Sequence, residues 1–104
     1  MTQPVERCPV EAAIQIIGGK WKLLVLRSLL LNGPQRYNEL LATVTAISQK
    51  ELTRNLRELT EAGLVIRDSA AGPIARYQLT KLGEGLMPTF TSLLTWGANL
   101  PPAK

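Results

Sequence analysis

The sequence contains no histidine and only one cysteine, Cys8. Without histidine it lacks the commonest general base and the commonest zinc ligand, and a single cysteine cannot close a disulfide within one chain. We find no nucleophile–base pair and no glycine-rich phosphate loop, because Gly18 and Gly19 stand where a helix should stop. We therefore expect no enzymatic activity, no catalytic residues, no metal site and no cofactor.

Long apolar runs and aromatic residues are scarce as well. The longest apolar stretch, residues 23–31, is interrupted by Arg27 and Ser28 and is far shorter than the roughly 20 residues that cross a bilayer. Residues 1–7 are polar and mixed, unlike the apolar centre of a signal peptide. These absences predict a cytoplasmic protein with no membrane partner. Aromatic residues make up 5% of the chain, so its core must be aliphatic, chiefly leucine.

The chain has 104 residues, 45% of them hydrophobic, and a formal net charge of +4. This length predicts a single domain over residues 1–104, and the apolar content excludes wholesale disorder. We expect an ordered core over about residues 8–97 and a frayed tail at residues 101–104. The positive charge is compatible with an anionic partner, but many basic proteins bind no nucleic acid. Net charge alone does not identify a function.

Helical periodicity and helix-stop residues predict four helices before the first strand. They are expected at residues 9–17, 20–31, 38–44 and from Ser48 to about residue 62. The second helix is apolar almost all round, so it should be buried on most sides. Ser48 and Glu51 form a predicted capping box, and Gly63 is expected to end the fourth helix in a left-handed conformation.

After Gly63 the pattern changes to two short strands, expected at residues 64–68 and 75–79 and joined by the turn-rich residues 69–73. A last helix is expected from about Thr80, which Pro88 should kink or divide. A short helix, a tight turn and a capped second helix form a helix-turn-helix, and the hairpin that follows is a wing. The predicted fold class is mainly α (α+β): a winged helix-turn-helix with a two-stranded β-hairpin wing.

The fourth helix separates leucines from cations. Its leucine stripe consists of Leu52, Leu56 and Leu59. Its basic face consists of Lys50, Arg54 and Arg57, which lie roughly 140–200° from Leu52 at about 100° per residue. Thr53 lies at the edge of this face and Gln49 lies nearer the core. Cations can neutralise phosphates, and amide or hydroxyl groups can reach base edges, so the pattern indicates a DNA-reading helix. The alternative is a solvated surface on which Glu61 pairs with Arg57.

Arg67 and Arg76 lie on the two strands that flank the predicted wing tip. They can reach phosphates or a minor groove, or they are ordinary edge-strand charges, and the sequence favours neither interpretation. Trp21 and Trp96 raise the possibility of a ligand pocket, although tryptophans at helical positions are more often core or interface residues.

Motifs spread over nearly the whole chain resemble those of the HxlR family of bacterial regulators. In chain order they are CPVEAA (8–13), IGGKWKLL (17–24), GPQRYNEL (33–40), ISQKELT (47–53), LREL (56–59), AGLV (62–65) and YQLTKLG (77–83). The resemblance implies a winged helix of the MarR-like superfamily that forms a homodimer through its N- and C-terminal helices. It also implies a palindromic double-stranded DNA operator, bound as a repressor or an activator, with residues 48–57 as the recognition segment.

The DNA-binding residues expected from the face and the resemblance are Arg36, Ser48, Gln49, Lys50, Thr53, Arg54, Arg57, Arg67 and Arg76. The wing connection departs from the family pattern, since it is a couple of residues shorter and has no charge between Ser69 and Ala75. No effector is identified. A winged helix that serves only protein–protein contact is the main alternative, and the salt dependence of duplex binding would distinguish the two.

Cys8 is expected to be the cap residue of the first helix, beside Arg7. The start of a helix favours a thiolate, the reactive form of cysteine, whereas the carboxylates of Glu6 and Glu11 oppose ionisation. The resemblance implies a possible oxidant or electrophile sensor, because some relatives use a cysteine just before the same proline. The alternative is an inert cysteine that only packs. Any disulfide would have to join two chains or capture a small thiol.

Overall fold

Helices and short strands make up the part of the chain that the structure describes, a computed structural model covering residues 8–70, 72 and 74–103. The elements in chain order are α1 (Pro9–Ile17), α2 (Lys22–Asn32), β1 (Gln35–Arg36), α3 (Tyr37–Thr43), α4 (Gln49–Glu61), β2 (Val65–Asp68), β3 (Arg76–Leu79), α5 (Lys81–Glu84) and α6 (Met87–Gly97). The predicted order of elements is confirmed, with one added strand and a divided last helix. Pro88 is the second residue of α6, so it begins a second half rather than kinking one helix.

Helix α1 begins at Pro9 and ends at Ile17, just before Gly18, as the sequence predicts. Cys8 is its N-terminal cap residue, and the backbone N–H of Gly18 donates to the Ile14 carbonyl oxygen at 2.6 Å. Gly19 then adopts a φ of +97°, a conformation that favours glycine and separates α1 from α2. None of the nine residues of α1 is buried.

Helix α2 lies at the centre of the core and contacts α3, α4 and β3. Val25 and Leu26 are completely buried, whereas Leu31 near its C-terminus is 71% exposed, so burial is extensive but not complete on every side. The buried core residues are Trp21, Val25, Leu26, Leu29, Leu40, Val44, Ile47, Leu52, Leu56, Leu59, Leu64 and Val65. The core is therefore aliphatic with one tryptophan.

The sheet has three antiparallel strands in the order β1-β3-β2, rather than the two predicted. Gln35 and Arg36 of β1 pair with Tyr77 and Arg76 of β3. A strand of two residues is too short to produce an alternating pattern, which is why the sequence did not indicate it. The wing hairpin is thereby joined to the start of the helix-turn-helix.

A polar network fixes β1 against the helices. The Gln35 amide nitrogen donates to the Ser28 carbonyl oxygen at 3.1 Å and to its hydroxyl at 2.9 Å. The Thr43 hydroxyl donates to the Gln35 amide oxygen at 3.0 Å. Because Gln35 is only 4% exposed, these bonds satisfy an amide that would be costly to bury unpaired. They hold α2, β1 and α3 in one arrangement.

The turn between α3 and α4 contains Ala46 at a φ of +71°, a left-handed conformation that is unfavourable for a residue with a side chain. Helix α4 then begins after Ser48, whose hydroxyl accepts from the Glu51 backbone N–H at 3.1 Å. This is the serine half of the predicted capping box. A separate capping interaction begins α3, where the Arg36 backbone N–H donates to the Glu39 carboxylate at 2.7 Å.

Gly63 ends α4 with a φ of +83°, as predicted. Further along, Gly83 allows α5 to approach the start of β2 closely, because a Cβ there would overlap the Leu64 carbonyl oxygen. The same oxygen accepts from the Thr80 backbone N–H at 3.0 Å. The glycine of the YQLTKLG motif is therefore required by packing.

Candidate nucleic-acid interface

The leucine stripe holds α4 on the domain. Leu52 and Leu59 are completely buried and Leu56 is 3% exposed, in agreement with the predicted helical phase. Helix α4 packs through this stripe on α2 and β2. Asn55 is also buried, and its amide donates to the Glu51 carbonyl oxygen at 2.7 Å, so the inward face includes one polar residue that periodicity did not indicate. The opposite face must point into solvent.

The outward face of α4 brings together most of the residues predicted to read DNA. Lys50 and Arg57 are exposed, and the Arg54 side chain retains 47% of its accessible surface. The residues that line one shallow depression on this face are Tyr37, Gln49, Lys50, Thr53, Arg54 and Arg57. Cations and polar side chains, the two kinds of group that protein–DNA contacts use, thus share one surface.

Tyr37 is a member of this surface that sequence reasoning missed. Its hydroxyl donates to the Gln49 carbonyl oxygen at 3.0 Å and lies 2.8 Å from the Thr53 hydroxyl oxygen. Tyr37 is the first residue of α3, so it does not belong to the periodic pattern of α4. Only the tertiary arrangement of α3 and α4 brings it to the basic face.

Carboxylates moderate the charge of the basic face. Arg54 lies 3.7 Å from Glu58 and 4.0 Å from Glu51 on its own helix, and Glu58 also forms a 2.7 Å ion pair with Lys22 of α2. The hydrogen bond from Lys22 is the main cause that lowers the pKa of Glu58. Partial desolvation of the carboxylate raises this pKa, whereas the positive charges of Lys22, Arg54 and Arg57 lower it further. Among the described residues no Arg57–Glu61 ion pair is present.

The wing arginines point in different directions. Arg67 is paired with Tyr77 and Arg76 with Asp68, and since successive strand residues alternate between faces, Arg67 and Arg76 lie on opposite faces of the sheet. Arg67 and Arg36 line a second shallow depression that also includes Tyr37. Arg36 and Arg67 therefore lie beside Tyr37, which contacts α4, whereas Arg76 lies between its cross-strand partners Arg36 and Asp68. Residues 71 and 73 of the predicted turn lie outside the described residues.

Cys8 is exposed and lies at the N-terminal end of α1, as predicted. Its side chain makes no cap hydrogen bond in the described structure, although its carbonyl oxygen accepts from the Ala12 backbone N–H at 3.0 Å. The neighbouring Glu6 and Arg7, which entered the charge argument for this cysteine, lie outside the described residues. An exposed thiol at the start of a helix is accessible to reagents.

The two tryptophans have different environments. Trp21 is 8% exposed and belongs to the core, with the Lys20 ammonium 4.7 Å from the centre of its ring. Trp96 of α6 is 64% exposed. Trp21 therefore fits the packing interpretation, and Trp96 fits an interface residue.

Over residues 8–70, 72 and 74–103, His, Cys, Asp and Glu side chains form no group able to hold a metal ion. Over the same residues, no helix is both long enough and apolar enough to cross a membrane.

Residues 16–104 match the profile of HxlR-like helix-turn-helix proteins. The chain belongs to the HxlR-like helix-turn-helix family. The family resemblance seen in the motifs is thus confirmed, and with it the assignment of the chain as a helix-turn-helix transcriptional regulator.

Relatives of this HxlR-like regulator bear the names of transcriptional regulators. The HTH-type transcriptional regulator YkvN of Bacillus subtilis (strain 168) is 45% identical over 92 residues, which are 86% of this chain and 77% of YkvN. An HTH-type transcriptional regulator of Methanothermobacter thermautotrophicus is 41% identical over 92 residues, covering 86% of this chain and 70% of the relative. These names agree with the expectation of a transcriptional regulator.

Solved structures of redox regulators share the fold of the HxlR-like chain. The redox regulator HypR in its oxidized form is 35% identical with a TM-score of 0.79, and the match covers 92% of this chain and 100% of HypR. The quinone-bound YodB from B. subtilis is 32% identical with a TM-score of 0.78, and the match covers 89% of this chain and 100% of YodB. The winged-helix fold predicted from the sequence is confirmed.

Proposed function

We propose that this HxlR-like regulator binds a palindromic operator in double-stranded DNA as a homodimer, with α4 of each protomer in a major groove. The observation that carries the proposal is the outward face of α4. Lys50, Arg54 and Arg57 project from it opposite three buried leucines, with Gln49 and Thr53 beside them. A helix held by one apolar stripe and presenting cations with base-reading groups has the composition that major-groove recognition requires.

The exposed cations have separable roles in this proposal. Lys50 and Arg57 neutralise phosphates or reach guanine edges, while Arg54 is oriented by Glu51 and Glu58 before DNA arrives. Arg36 and Arg67 add phosphate contacts beside the recognition helix because both line one depression with Tyr37, whose hydroxyl bonds to α4. The complete proposed set is Arg36, Ser48, Gln49, Lys50, Thr53, Arg54, Arg57, Arg67 and Arg76.

The proposed dimer covers the apolar faces of the terminal helices. Neither α1 nor α6 has a buried residue, and both expose large apolar side chains. Val10 and Ile14 of α1 are 64% and 59% exposed. Leu94 and Trp96 of α6 are 75% and 64% exposed. The Cα radius of gyration, 15.5 Å, exceeds the roughly 13 Å typical of a compact chain of this length. Terminal helices that extend from the core with bare apolar faces fit a second copy of the chain.

Dimer symmetry determines the operator. A twofold dimer presents two identical recognition helices, so its preferred site is a palindrome. Selection of random duplex DNA by the purified protein, followed by sequencing, should recover two inverted half-sites centred about 34–36 Å apart. Recovery of no enriched sequence would contradict the proposal and would favour a winged helix used only for protein contacts. A variant carrying both Lys50→Ala and Arg57→Ala should recover no enriched sequence while remaining folded.

Control of this regulator through Cys8 is a second proposal, favoured by its exposure at the start of α1. It is supported by the likeness of the chain to oxidized HypR and to quinone-bound and diamide-treated YodB. Two Cys8 thiols from two protomers can give up two protons and two electrons to diamide and form an intermolecular disulfide. Alternatively, the thiolate can add to a quinone. Because α1 carries part of the proposed dimer face, either reaction would alter the spacing of the recognition helices.

A further inference from the structure

The hydroxyl of Tyr37 joins α3 to the outward face of α4 through two contacts. It lies 3.0 Å from the Gln49 carbonyl oxygen and 2.8 Å from the Thr53 hydroxyl oxygen. The Tyr37 ring is half-buried against the core, whereas Thr53 is exposed on the surface proposed to face DNA. The contact therefore links a fixed aromatic residue to a side chain in the recognition surface.

The hydrogen atoms of these groups can be assigned from their chemistry. A carbonyl oxygen only accepts, so the hydrogen of Tyr37 is used in the bond to Gln49. The oxygen of Tyr37 is then left as an acceptor toward Thr53, and the 2.8 Å contact requires Thr53 to donate its own hydrogen. Thr53 consequently presents only lone pairs and a methyl group to solvent.

We propose that Tyr37 is a positioning residue that makes Thr53 an acceptor-only reader of the operator. An oxygen with no free hydrogen can bind the exocyclic amino groups of adenine and cytosine, the donors of the major groove. It cannot bind the acceptors that guanine and thymine present there, N7 and O6 or O4. Each half-site should therefore contain one base pair at which adenine or cytosine faces Thr53. This inference rests on the proposed insertion of α4 into DNA.

Removing the Tyr37 hydroxyl tests this assignment. In Tyr37→Phe the ring remains, but the oxygen that accepts the Thr53 hydrogen is removed. That hydrogen can then be donated to guanine or thymine. The preference for adenine or cytosine at one position per half-site should fall on the order of threefold to tenfold, the value of one hydrogen bond. Preferences at other positions and the salt dependence of affinity should be unchanged. The measurement is the relative affinity of the protein for operators substituted at each position.

Thr53→Val tests the same assignment without altering the hydroxyl of Tyr37. It should abolish the preference at the same base pair, and combining it with Tyr37→Phe should add nothing further, since the two residues act through one group. The matched control is Thr60→Val on the same helix, because the Thr60 hydroxyl bonds to the Leu56 carbonyl oxygen of its own helix at 2.7 Å. Thr60→Val should leave every base preference unchanged.

The outcomes separate this inference from the proposed function. If the wild type shows no binding to duplex DNA, the proposed function itself fails. If the wild type selects an operator but Tyr37→Phe and Thr53→Val retain its preference at every position, the positioning role is overturned. A uniform loss of affinity at all positions in Tyr37→Phe also overturns it, because that is the effect of merely fastening α3 to α4.

Discussion

Glu58 on α4 accepts a 2.7 Å hydrogen bond from the Lys22 ammonium on α2, and the same carboxylate lies 3.7 Å from Arg54 on the basic face. One carboxylate thus connects the central helix of the core to the surface proposed to read DNA. The side chains of Lys22 and Glu58 are 16% and 31% exposed, so this ion pair is less screened than a fully exposed one.

The Lys22–Glu58 ion pair should make stability depend on pH. Chiefly because of the hydrogen bond from Lys22, the pKa of Glu58 is below its ordinary value of 4.5 in the folded protein. A lowered carboxyl pKa stabilises the folded state at pH values above that ordinary value, and the contribution is lost as the pH falls through the lowered pKa. Melting temperatures of the wild type and Glu58→Gln should differ near pH 7 and converge as the pH falls through the lowered pKa of Glu58. A difference that stays constant over this range would contradict the assignment.

Leu56 should contribute to stability rather than to DNA contact. It is 3% exposed within the leucine stripe, so Leu56→Ala removes packed methyl groups and should cost about 2–5 kcal/mol of unfolding free energy. Chemical denaturation followed by circular dichroism measures this cost. The matched control is Leu31→Ala, at a site 71% exposed on α2, which should change stability by less than about 0.5 kcal/mol. Equal effects of the two substitutions would show that α4 is oriented differently.

Leu94 should support the proposed dimer. Its side chain is 75% exposed on α6, so Leu94→Asp introduces no charge into the core but places one in the proposed interface. Sedimentation equilibrium should show a dimer for the wild type and a shift to monomers for Leu94→Asp. Leu31→Asp, at an equally exposed leucine on α2, should remain dimeric. A wild type that is monomeric at all concentrations would contradict the assembly.

Cys8 should carry any response to oxidants or electrophiles, because it is the only cysteine in the chain. Diamide or a quinone should change the affinity of the wild type for its selected operator and leave Cys8→Ser unaffected. Non-reducing electrophoresis should show a diamide-dependent covalent dimer of the wild type alone. The same change of affinity in both proteins would remove the sensing role from Cys8.

The regular features of α4 were predictable from the sequence because they are local. The phase of Leu52, Leu56 and Leu59 follows from helical geometry, and the Ser48 cap needs only a hydroxyl three residues before an unpaired backbone N–H. The opposite location of Lys50, Arg54 and Arg57 then follows without knowledge of the tertiary structure. The same reasoning identified Pro9 as the first residue of α1 and Ser48 as the cap residue before α4.

The features that the sequence did not reveal depend on contacts between distant residues. The two residues of β1 become a strand only by pairing with Tyr77 and Arg76, and Tyr37 reaches Thr53 only because α3 packs beside α4. The Arg57–Glu61 pair belonged to the alternative, solvated-surface interpretation and followed only from the spacing of the two residues on one helix. In the structure Glu58 pairs with Arg54 and with Lys22. The second pair was not predictable from the spacing along α4 because Lys22 lies on another helix. Pairing across the fold has no periodic signature.

The affinity for duplex DNA as a function of salt concentration tests the proposed regulator most directly. We expect the logarithm of the binding constant to fall linearly with the logarithm of the salt concentration, by roughly 0.9 for each phosphate neutralised. Arg54→Ala and Arg57→Ala should weaken binding while remaining folded, and Arg57→Ala should reduce the slope by about one per protomer. Arg27→Ala, at an exposed arginine on α2, should leave both the affinity and the slope unchanged. An absence of duplex binding at low salt, or binding insensitive to salt, would contradict the proposed DNA-binding function.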